Sequence, residues 1–94
     1  MIIRIVRMTF AEGNEIAFRN IFEAHYDTIL SMQGCSHLEL FQDIDDPSVF
    51  VTYSHWDSVQ DLDAYRQTDF FAGVWKKTRK LFKDKAVAFS VKRV

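Results

Sequence analysis

The chain is predicted to fold as one α+β domain with a four-stranded antiparallel sheet. Three observations predict it. Segments with strand and helix character follow one another in the order strand, helix, strand, strand, helix, strand; the two middle strands are separated only by a four-residue turn; and 94 residues suffice for one core but not for two. No internal repeat, linker or low-complexity stretch divides residues 1–94, so a single domain is expected throughout.

Ile2 to Phe10 is rich in β-branched residues, with apolar side chains at both odd and even positions, as in a strand buried on both faces. From Asn14 to Met32, Phe18, Ile21, Phe22, His25, Ile29 and Met32 recur at spacings of three and four. Glu15, Arg19, Glu23 and Asp27 lie opposite, which gives an amphipathic helix with Asn14 as its N-cap and its end before Gly34. Cys35 to Ile44 and Val49 to Trp56 read as strands of a hairpin, turned by Asp45-Asp46-Pro47-Ser48.

Ser58 with Asp61 three residues on forms a capping-box pattern and opens a short helix to Arg66. Asp69 starts another helix, in which Phe70, Phe71, Val74, Trp75, Thr78, Leu81 and Phe82 make a wide apolar stripe. Lys85 to Val94 returns to strand alternation.

This order is that of the ferredoxin-like fold, whose helices cover one face of the sheet. The other face would meet water in a monomer. Yet the first strand carries Ile3 and Ile5 on one side and Ile2, Val6, Met8 and Phe10 on the other, so neither face suits water. A homodimer that pairs two sheets face to face is expected to bury the second one.

Composition narrows the function classes. Apolar residues make up 48% of the chain, with fourteen aromatics, nine of them Phe, enough for a dense core. The formal charge is −1, so no basic excess favours nucleic acid or an anionic membrane. The longest run without a formal charge extends only from Thr28 to Leu38, and neither a membrane span nor a signal peptide is expected, which points to the cytoplasm. A single Cys35 forms no internal disulfide, and the three His are scattered, so no metal centre is expected. Three glycines supply no phosphate loop. The run Lys76, Lys77, Arg79 and Lys80 reads as a solvated helix face.

Gly34-Cys35, Leu38-Glu39-Leu40-Phe41, Trp56-Asp57-Ser58, Ala64-Tyr65-Arg66 and Asp69-Phe70-Phe71, in this order and spacing, resemble the antibiotic biosynthesis monooxygenase domain over nearly the whole chain. The resemblance implies a dimeric α/β barrel of ferredoxin-like protomers, with a ligand cavity between each sheet and its own helices. It does not imply one reaction, since the family includes cofactor-free oxygenases of polycyclic phenols, haem-degrading oxygenases and a sugar-phosphate isomerase. Where the haem-degrading branch carries Asn, Trp and a His ligand, this chain has Val6, Tyr65 and Trp75. Val and Trp supply neither an iron ligand nor a donor to bound oxygen, so no cofactor is expected.

Tyr65 has two readings: its phenol hydrogen-bonds a substrate oxygen, or its ring simply packs on the sheet. Trp75, one turn after Phe71, is a core residue or a cavity wall, and Phe71 shares its stripe. Trp56 is a plug at the strand-to-helix corner that can also border a ligand. His25, in line with Phe18, Phe22 and Ile29, is a base near neutral pH or a satisfied core imidazole. His37 and Glu39 share one face of the second strand, and Tyr53 and His55 share one of the third. If the register joins them they form a proton-transfer cluster or, alternatively, a polar rim at the dimer contact.

Two function classes follow. As an enzyme, the protein would oxygenate a small aromatic without cofactor, using a base and an apolar pocket. As a binding module, it would hold a small molecule unchanged. Sugar-phosphate isomerisation would require cationic or backbone donors converging in the cavity, for which Arg4, Arg7 and Arg79 are the candidates.

Overall fold

Alternation along the first strand decides which residues meet the helices. In the computed structural model, which describes residues 1–94, the elements are β1 (Ile2–Thr9), α1 (Glu15–Leu30), β2 (Cys35–Gln42), β3 (Val49–Trp56), α2 (Val59–Arg66), α3 (Asp69–Arg79) and β4 (Val87–Val91). The four strands form one antiparallel sheet in the order β2-β3-β1-β4, the ferredoxin-like arrangement. Ile5 lies across from Tyr53 on one side and Phe89 on the other, while Val6 lies across from Thr52 and Ala88. Because side chains alternate, Arg4, Val6 and Met8 face the helices with Thr52, Ser54 and Trp56, and Ile3, Ile5, Tyr53 and His55 face away.

The core is an aromatic knot at one end of the inner face. Phe10, fully buried, stacks on Phe18 at 4.3 Å between ring centroids and meets Phe50 edge-on at 5.9 Å. Met8 completes the cluster, with Phe22, Leu40 and Phe82 packed around it. Only 11 of the 94 residues are buried within the single chain, and several apolar side chains of the outer sheet face are exposed. Val87, Phe89 and Val91 of β4 are 52%, 45% and 41% exposed there, and Phe41 is 45% exposed. No helix is long and apolar enough to cross a membrane.

Several boundaries differ from the sequence reading, each for a local reason. β1 stops at Thr9 because Phe10 leaves the ladder to bridge Phe82, and the helix expected to include Leu81 and Phe82 ends at Arg79 so that Phe82 can reach that bridge. β2 ends at Gln42 rather than Ile44: the Asp43 carboxylate accepts from the backbone N–H groups of Asp45 and Asp46 and closes a turn that leaves Ile44 97% exposed. β4 pairs only over Val87–Val91, short of the expected Lys85–Val94. α1 runs over Glu15–Leu30, within the expected Asn14–Met32. Asn14 holds the N-cap position without capping; its amide instead donates to the Leu81 carbonyl and ties α1 to the end of α3. Ser58 caps α2 as expected, its hydroxyl accepting from the Asp61 N–H at 3.1 Å.

Gly34 adopts a left-handed φ of +83°, and a Cβ there would lie 2.5 Å from the Asp61 Cβ. Glycine is required both by the turn and by the close approach of α2. The Gly34 carbonyl also accepts from the Asp57 N–H at 2.8 Å, which fixes the corner where β3 gives way to α2.

Candidate active site

A cavity of about 260 Å³ lies between the inner sheet face and the three helices, and fourteen of its twenty lining residues are hydrophobic. Its size falls just under the ~300–1,000 Å³ usual for small-molecule sites, so it suits a ligand of one or two rings. α1 contributes Phe22, His25 and Ile29, and α3 contributes Phe71, Val74 and Trp75, as the helical spacing of these residues predicts. The sheet supplies Val6, Thr52 and Ser54, and α2 supplies Tyr65 and Arg66.

One wall is a continuous aromatic series. Trp56 and Tyr65 stack at 5.0 Å with 22° between planes; Phe71 meets Tyr65 edge-on at 5.1 Å; Trp75 lies parallel to Phe71 at 6.1 Å. Trp56 is only 1% exposed, and its indole N–H donates to the Ser54 hydroxyl at 3.0 Å, so it is the predicted corner plug and backs Tyr65 against the cavity. With its lone pair engaged by Trp56, the Ser54 hydroxyl keeps its own proton for another acceptor. Thr78 is spent differently, donating to the Val74 carbonyl at 2.8 Å.

Burial pushes the Tyr65 phenol up to about 12, with the neighbouring Cys35 a smaller cause. The phenol therefore stays protonated at neutral pH and acts as a hydrogen-bond donor, not a base. His25 reaches the cavity from α1, its ring edge-on to Phe70 at 5.4 Å. It is the only imidazole in the wall, and a neutral imidazole nitrogen can accept a hydrogen bond or a proton.

Of the residues singled out in the sequence, the cavity gathers Tyr65, His25, Trp56, Trp75 and Phe71. His37, Tyr53 and His55 lie on the outer face, across the sheet from it. They do form a cluster: the His37 and His55 rings are 4.8 Å apart, Tyr53 and His55 are 5.1 Å apart, and His37 Nε2 contacts the Glu39 carboxylate. His55 Nε2 is buried with no hydrogen-bond partner. The strand parity of buried Trp56, which puts its neighbour His55 on the opposite face, is the sequence signal that separates the two groups. The same parity marks Thr52 and Ser54, which the sequence reading passed over, as cavity residues. Val6 and Trp75 both line the cavity.

Arg4 and Arg66 are the charged groups of the wall. Arg66 entered the sequence reading only within the Ala64-Tyr65-Arg66 motif and not as a site residue; it follows Tyr65 at the end of α2. Arg4 donates to the Ser90 hydroxyl at 3.2 Å, and its pKa is lowered first by burial and then by the charge of Arg66, with Asp63 acting the other way. Of the other arginines considered, Arg7 falls on the outer side of β1 and Arg79 is outside the wall.

Fold and site together define a ferredoxin-like domain with a largely apolar cavity between sheet and helices. The sequence model for antibiotic biosynthesis monooxygenases matches residues 1–77, and the chain belongs to that family. Among solved structures, a conserved protein from Methanosarcina mazei Go1 is similar at TM-score 0.92 and 16% identity, covering 100% of this chain and 94% of that one. An antibiotic biosynthesis monooxygenase is similar at TM-score 0.92 and 17% identity over 100% and 99% of the two chains. PA3566 from Pseudomonas aeruginosa is similar at TM-score 0.86 and 20% identity over 99% and 93%. At these identities the likeness is one of fold. Curated proteins give no match.

Proposed function

We propose that the protein is a cofactor-independent monooxygenase of a small aromatic or polyphenolic substrate, working in the cytoplasm as a homodimer closed sheet against sheet. The observation that carries this reading is an aromatic-walled cavity holding one imidazole and one phenol that keeps its proton. His25 takes a proton from the substrate. Tyr65 donates to the substrate oxygen on which negative charge then gathers. The resulting carbanion or phenolate passes an electron to dioxygen, and the radical pair joins at carbon as a peroxide. Loss of water leaves a ketone or quinone, so one oxygen atom enters the product and the other leaves as water. Phe71, Trp75 and Trp56 keep bulk water from the intermediates. His37, Tyr53 and His55 stand apart from this chemistry, and in the proposed dimer they face the partner sheet.

Oxygen uptake with anthrone-like or polyphenolic substrates, in the presence of chelator and without flavin or nicotinamide, tests the reading. Turnover should rise with pH as a base is freed, and His25→Gln should lower it by about a hundredfold or more, the usual worth of a general base. If no phenolic substrate consumes oxygen while aromatic ligands still raise the melting temperature, the protein is a binding module and the enzymatic reading fails.

A further inference from the structure

The charges of the cavity point to a narrower ligand class. We infer that the cavity binds an aromatic monoanion, a carboxylate carried on a one- or two-ring body, with the anion held between Arg4 and Arg66 and the rings against the aromatic wall. This deepens the proposed function and rests on its reading of the cavity as an aromatic site.

The wall contains two guanidinium groups and no carboxylate. Arg4 is half-buried and Arg66 exposed where they line one largely apolar cavity, and two like charges brought to the same site gain from an anion shared between them. Arg4 and Arg66 line the same cavity of about 260 Å³, and burial followed by the charge of Arg66 lowers the Arg4 pKa. Within the chain their polar partners are few. Arg4 donates to the neutral Ser90 hydroxyl, and Arg66 has only Asp63, at 4.0 Å and largely exposed. An anion accepting from both guanidiniums would supply the missing charge with strong, directional hydrogen bonds.

The count of charge selects the anion. Two guanidiniums and the adjacent Asp63 carboxylate leave one net positive charge, which a carboxylate neutralises and a phosphate dianion would exceed. Ser54, across from Arg4 in the β1–β3 register, adds a hydroxyl proton to the same end of the cavity. A sugar would also need polar partners along its body, where this cavity offers Phe22, Ile29, Val74 and Trp75.

Calorimetric titration with 2-naphthoate, 2-naphthamide and 2-naphthyl phosphate, under anaerobic conditions so that no turnover intervenes, tests the assignment. Naphthoate should bind at least tenfold tighter than the isosteric amide, and tighter than the phosphate. Arg4→Gln and Arg66→Gln should each reduce the acid-to-amide affinity ratio severalfold, with circular dichroism and thermal unfolding reporting that the variants fold. Equal affinity for acid and amide, or an unchanged ratio in both variants, overturns the anion site while leaving the aromatic cavity intact. Tighter phosphate binding overturns the monoanion assignment. Failure of all three to bind overturns this inference and the aromatic cavity together, whereas naphthoate selectivity without oxygen uptake by any substrate sustains the anion site and removes only the oxygenase.

Discussion

Tyr65→Phe deletes one oxygen and keeps the ring that stacks on Trp56 at 5.0 Å and meets Phe71 at 5.1 Å. No contact of the ring is lost, so at pH 8 the variant should match the native protein in stability to within about 1 kcal/mol. At alkaline pH the two should part. The native phenol titrates at about 12 against an ordinary value of 10, so between those limits the unfolded chain has lost a proton that the folded one retains. Unfolding then releases a proton, and stability falls as pH rises: the contribution is whole below pH 10 and is gone by about pH 12. At about 1.4 kcal/mol per pH unit, the loss reaches about 3 kcal/mol, and about half of that at pH 11. The phenylalanine variant cannot suffer it. Urea denaturation at pH 8 and pH 11 measures the difference directly, with other tyrosines and lysines titrating alike in both proteins. In the oxygen-uptake assay the same substitution should lower kcat by about 10²–10³, the worth of one well-placed donor to a developing oxyanion. Parallel alkaline stability profiles would refute the burial of the phenol, and unchanged kcat would refute its place in the reaction.

Other substitutions probe the scaffold and the outer face. Ser54→Ala leaves the Trp56 indole N–H buried without its acceptor and should cost about 1–3 kcal/mol, lowering the melting temperature by roughly 4–8 °C per kcal/mol. Gly34→Ala and Gly13→Ala both place alanine at a left-handed φ, costing about 1–2 kcal/mol. Only at Gly34 does the new Cβ meet Asp61, so that variant should be clearly the less stable of the two in thermal unfolding; equal losses would deny the close approach of α2. Sedimentation of the wild type should give about twice the 11.1 kDa chain mass. Ile5→Asp, between Tyr53 and Phe89, should weaken the dimer by about 3 kcal/mol or more, over a hundredfold in Kd, and a wild-type monomer would sink the sheet-to-sheet contact.

Much of this organisation is legible in local pattern. The spacings of Phe18, Phe22, His25 and Ile29, and of Phe71, Val74 and Trp75, orient both long helices toward the sheet, because helical period alone decides which face is apolar. Element ends are less legible where they depend on partners far along the chain. Nothing near Phe10 announces that it will leave its strand for Phe82, and nothing near Phe82 announces that the helix must stop first. Ile44 looks like strand until the Asp43 side chain is seen to capture the following backbone. The position of His37, Tyr53 and His55 depended on which face of the sheet the helices cover, a tertiary fact, although the parity of Trp56 carried the hint. Arg66 was not singled out as a site residue because an arginine at the end of a short helix usually turns to water; it is exposed here too, and only the position of α2 beside the cavity makes it a lining residue.

The sheet separates two chemistries with one backbone. On β1 and β3, Arg4, Val6, Thr52 and Ser54 floor the cavity, and the residues between them, Ile3, Ile5, Val51, Tyr53 and His55, make the outer face. Every strand residue therefore serves one side only, and a change of side chain on the outer face reaches a ligand only by displacing the strand that carries the floor. A second sheet closed on the outer face would resist such displacement, since packed interiors yield little. The dimer contact would then hold Arg4 and Ser54 in register beneath the helices without touching the ligand. His25 and Tyr65 come instead from α1 and α2, each supported by its own aromatic neighbour, Phe70 for one and Trp56 for the other. In the proposed reaction the proton acceptor and the oxyanion donor thus hang from separate helices, and the inferred anion site between Arg4 of β1 and Arg66 of α2 would fix the substrate between them.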